Sequence, residues 1–536
     1  MNRLMKTRYS LMVLATLAGL VSCDKFLDQM PDNRAEIDSR EKVRALLVSG
    51  YPSTDYMLLT EFMSDNVDDY GKNNPYTDRF IDQVYAWADV TETDNEDSEN
   101  VWGSSYLAIA AANEALAAIE TLQKENPQEN FDAERAEALL CRAYNHFILV
   151  NMFCLAYDAA TASSNLGIPY MEKPETTLNP KYPRGTVADV YAKIEKDLET
   201  ALPLVSDSYY TVPKYHFNPK AAYAFAARFY LYYEQYEKSA SYADKVLGTQ
   251  PSAMLRDWKY QASMTQSYEP IVEHYIDAGL NCNLLLMTGY SKMGLAFGPY
   301  SVYSKYAHGE YLANRETGIA ITSLWGGTND SYYSDMKIYS ATNLDKTIFW
   351  KLPFLFEYTD PVAQIGYYRT VYPAFAADQV LLERAEANVI LGNFDKAVDD
   401  INLWIGNIAR NPMVLTKESI HDYFSEIEYS VWNDATVKKQ LNPCASVQLG
   451  EEGGMKESLL QCVLALKRVE TLGQGLRWFD IKRYGIEIDR RIINAAGRPD
   501  RKTDTLVKDD PRRAIQIPPK VVAADMEPNP RNNNQQ

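Results

Sequence analysis

Apolar positions return at three- and four-residue steps through most of the long segments, the spacing that gives a helix one buried stripe. In "VWGSSYLAIAAANEALAAIETL" the stripe runs through Trp102, Tyr106, Ile109, Leu116 and Ile119. "AERAEALLCRAYNHFILVNMF" follows after a polar break at Asn126 and Pro127, which predicts an antiparallel helical hairpin. "TVADVYAKIEKDLETALPLV" is a third helix, opened by Thr186 with Asp189 three residues on as a shortened capping box. Two further stretches share a repeat. In "PKAAYAFAARFYLYYEQYEKSASYADKVL", Tyr223, Ala226, Ala227 and Tyr230 sit at first-helix positions of a tetratricopeptide unit, and Ser239, Ala243 and Val246 at second-helix positions. "LLERAEANVILGNFDKAVDDINLW" repeats the scheme through Leu381, Ala385, Ala397 and Ile401. Small residues there let paired helices approach closely. The periodicity fades over residues 251–375, where Tyr and Trp crowd between Gly and Pro, and over 62–100, which mixes aromatics with Asp and Asn. The pattern therefore predicts a mainly α fold: a tetratricopeptide-like helical-hairpin scaffold carrying long, irregular, aromatic-rich loops. It divides into a segment 23–250, a loop-rich segment 251–375 and a helical segment 376–536.

The first 22 residues read differently. Arg3, Lys6 and Arg8 precede an apolar run over 11–20 that is too short to span a bilayer, as in a secretory signal. Leu20-Val21-Ser22-Cys23 then has the form of a bacterial lipobox, which makes Cys23 the acylated N-terminus of the mature chain. The competing reading is an ordinary signal with an incidental cysteine. Several acyl chains hold a protein at a membrane stably, at about 0.8 kcal/mol per buried methylene.

A formal net charge of −18 argues against nucleic acid and anionic lipid as partners. Beyond Cys23 the cysteines are Cys141, Cys154, Cys282, Cys444 and Cys462, an odd number without a C-x-x-C; free thiols are favoured over a Cys141–Cys154 bridge. The five histidines are scattered, and no phosphate loop, nucleophile elbow or metal-binding pair occurs. "GQGLRW" lacks the third glycine of a dinucleotide fingerprint. The acidic run over 89–100 and "DNVDDYG" lack the alternating ligands and central Gly of a calcium loop. No catalytic residue, metal site or cofactor is expected, calcium having no support beyond these runs.

Several pieces together resemble one family, the SusD/RagB-like nutrient-binding outer-membrane lipoproteins of the Bacteroidota. "CDKFLD" resembles its opening, and Trp102, Tyr106, Ile109 and Asn113 its Trp-x3-Tyr-x2-Ile-x3-Asn helix. Arg184, Val187, Tyr191, Ile194, Asp197 and Leu198 fit its Arg-x-Thr/Ser-Val segment, and "LLERAEANVILGNFDKA" its Arg-Ala-Glu helix. Glu470, Gln474, Gly475, Arg477, Asp480 and Arg483 match its C-terminal signature, and "IQIPPKVVAADMEPNPR" its closing Ile-Pro and Asn-Pro. The resemblance implies a non-catalytic, surface-exposed lipoprotein of the outer membrane. It would capture an oligosaccharide, or in some members a peptide, and act as a lid on a SusC-like TonB-dependent β-barrel transporter. Asp24 departs from this picture, since it resembles an inner-membrane retention signal.

Sugar rings stack their C–H faces on aromatic planes flanked by polar side chains. Composition therefore nominates Tyr70, Tyr76 and Trp87 with Asn73, Asn74 and Arg79 in one loop region, and Trp325, Tyr332 and Tyr333 with Asn329 in the other. In "SLWGGTNDSYY", Gly326 and Gly327 are expected to present the Trp325 indole in an open turn. Arg468, Glu470, Arg477, Asp480 and Arg483 are read instead as a buried ion network, and Trp102 and Trp478 as scaffold. Two other classes compete with nutrient capture: a lipid-anchored tetratricopeptide scaffold binding only proteins, and a glycan-cleaving enzyme with paired carboxylates.

Overall fold

The computed structural model describes residues 37–531 apart from 75, 178–179, 301–304, 329–330, 334–336, 342–343 and 349. The signal, Cys23 and Asn329 lie outside the described residues.

The major helices are α1 (Arg40–Leu47), α2 (Met57–Met63), α3 (Arg79–Tyr85), α4 (Ser98–Glu125), α5 (Asp132–Phe153), α6 (Val187–Ala201), α7 (Pro219–Tyr232) and α8 (Tyr236–Leu247). After the loop-rich segment come α9 (Ala377–Ile390), α10 (Phe394–Ile408), α11 (Lys417–Glu426), α12 (Met455–Glu470) and α13 (Arg477–Arg483). They pack as the predicted hairpins α4–α5, α7–α8 and α9–α10, joined by α11–α12, with α8 and α12 both against α9. The capping box forms: Asp189 N–H donates to Thr186 Oγ1 at 3.1 Å while Asp189 Oδ2 accepts from Thr186 N–H at 3.0 Å. Ala226, Ala227, Ser239, Ala243, Ala385 and Ala397 are all buried where hairpins meet. Cys141, Cys154, Cys282, Cys444 and Cys462 are free thiols.

The expectation of irregular structure over 251–375 is corrected in part. Strand β2 (Asn283–Tyr290) pairs antiparallel with β7 (Ile365–Ala376), which pairs in turn with β6 (Leu355–Asp360). A hairpin β4–β5 (Lys337–Ala341 and Leu344–Ile348) stands apart. A second sheet runs β3-β1-β8-β9, with β1 (Asp68–Asp69), β3 (Tyr306–Ala307), β8 (Ile488–Ile493) and β9 (Pro499–Leu506). "YYRTVYPAF" is rich in β-branched and aromatic residues, which suit a pleated surface.

The motif residues behind the resemblance are structural. Arg142 pairs with Asp197 through two 2.7 Å bonds and donates to Asn113 Oδ1 at 2.9 Å, joining α4, α5 and α6. Arg184 donates to Gly167 O at 2.7 Å and to Asn529 Oδ1 at 2.8 Å, tying the chain's end to the first hairpins.

Candidate ligand-binding site

The nominated aromatics divide. Trp87 is only 2% exposed. Its indole N–H donates to Met63 O at 2.8 Å and the Arg490 guanidinium lies 4.1 Å from the ring centroid. It belongs to the core and offers no face to a sugar. Arg490 is held there by three carbonyls, of Phe62, Ser64 and Tyr85, each at 2.8 Å.

Trp325, 1% exposed, is likewise buried, with its ring edge-on to Tyr332 at 5.9 Å. The two glycines act opposite to expectation. Gly326 turns through φ +73° and Gly327 sits so close that a Cβ there would lie 2.9 Å from the indole nitrogen, so the turn folds over the ring. Tyr332 is buried, with its hydroxyl donating to Gly318 O at 2.6 Å. Tyr333 is half-buried under Arg410.

Tyr70 and Asn74 are also buried. Gly309 makes room for Tyr70, since a Cβ there would collide with its hydroxyl. Tyr76, 54% exposed, and Arg79, paired with Glu92 at 3.0 Å, face solvent. Asn73 closes a short 3-10 turn, Gly71–Asn73. The structure therefore does not gather the nominated residues into one site.

The acids of the 89–100 run are engaged locally. Asp97 caps α4 by accepting from Asn100 N–H at 2.7 Å, and buried Glu96 accepts from Ser291 Oγ at 2.8 Å and Lys292 N–H at 2.6 Å. Among the described residues no group of three His, Cys, Asp or Glu side chains is placed to hold a metal.

Among the described residues two surface depressions are prominent. The larger, about 580 Å³, falls within the range of small-ligand clefts. One wall is the turn Val48–Ser53 after α1 with Ser104, Leu107 and Ala108 of α4; the others are Tyr215, His216 and the β2–β7 sheet at Leu286, Met287, Thr288 and Arg369. Leu107 and Val48 are exposed apolar side chains on this wall.

The aromatic wall is fixed from behind. Buried Glu137 on α5 accepts from Tyr51 Oη at 2.7 Å, from His216 Nδ1 at 2.8 Å and from the Tyr209 hydroxyl. Tyr51 stacks on Phe217 at 5.9 Å, and Tyr210 stacks on His216 at 4.3 Å, 6° from parallel. Burial, with Cys141 and Glu137 nearby, pushes the Tyr51 phenol well above its ordinary pKa, so it stays a donor. Thr54 N–H donates to Ser104 Oγ at 3.0 Å, and Asn145 Nδ2 to Gly50 O at 3.1 Å, seating the turn on α4 and α5.

On the opposite wall Arg369 pairs across the sheet with Tyr290, whose ring centroid is 4.8 Å from the guanidinium carbon. Its Nη1 donates to Glu357 at 2.5 Å, while its covered Nε has no acceptor in the structure. Tyr290 and Tyr367 form an edge-to-face pair at 5.3 Å beside it. None of the described residues lining this cleft is Asp or Glu, so the carboxylate pair of a glycoside hydrolase is not assembled here.

The smaller depression, about 250 Å³, is lined by Asp65, Asp68, Glu316, Lys439, Arg491 and Trp432 among others. Its charges are mutually paired. Glu316 accepts from Arg491 at 2.6 Å, Arg468 at 3.1 Å and Lys439 at 2.5 Å, and Arg477 clasps Asp65 through two 2.9 Å bonds. Burial opposes the charge on Glu316, yet Lys439, Arg491 and Arg468 outweigh it and hold the carboxyl well below its usual range. Asp480, Lys467, Arg483 and Glu386 form a second buried cluster. The predicted network is thus present except at Glu470, which accepts from the Trp404 indole at 2.9 Å instead of joining a cation pair.

Sequence reasoning missed Tyr51, Tyr215, His216 and Arg369, which come from three separate stretches of chain. The one local signal is on β7, where Tyr367, Arg369 and Val371 alternate onto one face.

Residues 25–231 match a family model, SusD-like_3, described as "Starch-binding associating with outer membrane". No curated protein matches the chain. Among solved structures the fold is similar to a SusD superfamily protein of Bacteroides thetaiotaomicron, at 17% identity and TM-score 0.59 over 92% of this chain and 99% of that one. A SusD superfamily protein of Bacteroides vulgatus gives 20% identity and TM-score 0.59 over 91% and 97%. A putative sugar binding protein of the same organism gives 17% and 0.59 over 93% and 99%. The N-terminal segment thus matches the SusD-like family model, and the helical fold is similar to SusD superfamily structures along nine-tenths of the chain.

Proposed function

We propose that this protein is a non-catalytic lipoprotein that captures a nutrient oligosaccharide at the outer membrane and passes it to a SusC-like TonB-dependent transporter. The observation that carries the reading is the larger cleft: a preformed aromatic wall, hydroxyls of Ser49, Ser53, Ser104 and Thr288, and one cation, in a chain whose family model is described as starch-binding. Tyr215 and Tyr51 supply ring surface for sugar C–H faces and the hydroxyls supply orientation. Capture without chemistry needs no more than this.

Affinity electrophoresis of the chain from residue 24 through a polysaccharide panel tests the reading, with Tyr215→Ala alongside. Retardation by a glycan, lost in Tyr215→Ala, is expected; binding of a peptide pool with no glycan retained would replace the sugar by a peptide. Anchoring at Cys23 is checked by fractionation, Cys23→Ala being expected to release the chain from the membrane. Copurification with a large β-barrel tests the transporter partnership.

A further inference from the structure

The chain carries −18, with 72 acidic against 54 basic residues, so carboxylates are its commonest charged groups. The larger cleft departs from that: its described lining holds an arginine and a histidine and no acid. Nearby carboxylates are already committed. Glu137 lies buried behind the wall under three donors, and Asp55, behind Gly289, accepts from Met57 N–H at 2.8 Å. Glu357 takes only the Nη1 corner of Arg369. The guanidinium is partly exposed beside the cleft through its terminal nitrogens, while its Nε is covered. An arginine in that state is matched by a carboxylate or sulfate, which a planar fork of N–H groups binds in two-pronged fashion.

Resting on the capture of a carbohydrate in this cleft, we propose that the ligand is an acidic oligosaccharide whose anionic group, a uronate carboxylate or a sulfate ester, is bound by Arg369. Its sugar rings lie against Tyr215 and Tyr51, and the flanking hydroxyls of Ser53 and Thr288 bond to ring oxygens and hydroxyls. Leu107 and Val48 cover its apolar edges. The lack of lining acids matters as much as the arginine, because like charges in such a wall would repel the ligand.

The test pairs each anionic polymer with its neutral counterpart: polygalacturonate with its methyl ester, and dextran sulfate with dextran. Binding is measured by calorimetry and affinity electrophoresis for the wild-type chain, Arg369→Gln, Arg369→Lys and Tyr215→Ala, and thermal unfolding verifies that each variant is folded. One anionic polymer is expected to bind and its neutral counterpart not. Arg369→Gln should weaken it about tenfold or more, Arg369→Lys less, and added salt should weaken the wild type. Which pair responds identifies carboxylate or sulfate. Binding of a neutral glycan, lost in Tyr215→Ala but unchanged in Arg369→Gln, would overturn the acidic assignment and leave sugar capture standing. Acidic binding indifferent to Arg369→Gln would overturn the role of this arginine. Capture of peptides with no polymer bound would overturn the carbohydrate reading and this inference together.

Discussion

The acid-free cleft and the charged groove around Glu316 both present an aromatic ring, arginine and hydrogen-bonding side chains, and differ in how their polar groups are satisfied. In the groove every cation has a carboxylate or carbonyl: Arg491 clasps Asp68 at 2.9 and 3.1 Å and reaches Glu316, and Arg468 bonds Asn66, Asp65 O and Glu316. Such a network has nothing left to offer a ligand, and its interactions join α12, α13, β8 and the residues after α2. In the cleft Arg369 stays partly exposed with a single exposed carboxylate partner, Glu357, and apolar side chains stand exposed. Density of paired charge therefore marks the scaffold in this molecule, and a partly exposed cation beside apolar side chains marks the place for a ligand.

The sharpest way to break this contrast is to remove one charge from the groove. Glu316→Gln leaves Lys439, Arg468 and Arg491 short of a counter-charge, and breaking a buried network costs about 3–5 kcal/mol. A large drop in the denaturant midpoint is expected; an unchanged midpoint would mean the network is not structural. Trp87→Ala and Trp325→Ala should each cost about 3–5 kcal/mol, because both rings fill the core. Loss of ligand at temperatures where these variants remain folded would instead return the indoles to the binding site.

A smaller effect comes from the acids packed behind the cleft. Burial pushes Asp55 up to about 7, against an ordinary value of 3.8, and raises Glu96 as well, with Asp55 adding to the rise. The folded protein then keeps a proton that the unfolded chain releases. The contribution of Asp55 to stability should be greatest below pH 4, fall as pH rises to about 7, and level off above, by at most about 1.4 kcal/mol per pH unit. Asp55→Asn should flatten that slope in urea titrations between pH 4 and 8. An identical slope in the variant would exclude Asp55 as its source. Smallest are the stability effects of Tyr215→Ala and Arg369→Gln, within about 1 kcal/mol for partly exposed positions, so that their effect on ligand binding stands out against an intact fold.

What the sequence disclosed followed the range of the interactions. The Thr186–Asp189 capping box and the helical hairpins rest on neighbours within a few residues, and the pattern specifies them. The basic half of the ion network was legible because Arg468, Arg477 and Arg483 share one stretch. Its acidic half, Asp65, Asp68 and Glu316, is separated from them by more than a hundred residues. The aromatics failed as guides because tyrosine and tryptophan serve core and cleft equally: Trp87 is held by Arg490 from the far end of the chain, which no local pattern reports. Strands β2 and β7 hid because long runs of each are buried on both faces and lack alternation.

Glu137 carries one more consequence. The carboxylate that sets the positions of Tyr51, Tyr209 and His216 sits inside helix α5, while the side chains at the mouth, Val48 and Leu107, bond to nothing. Mould and rim are thus separate parts. The rim can be recut by substitution to admit bulkier or branched ligands at little expense to folding, whereas a change at Glu137 would release three rings at once and dissolve the shape itself.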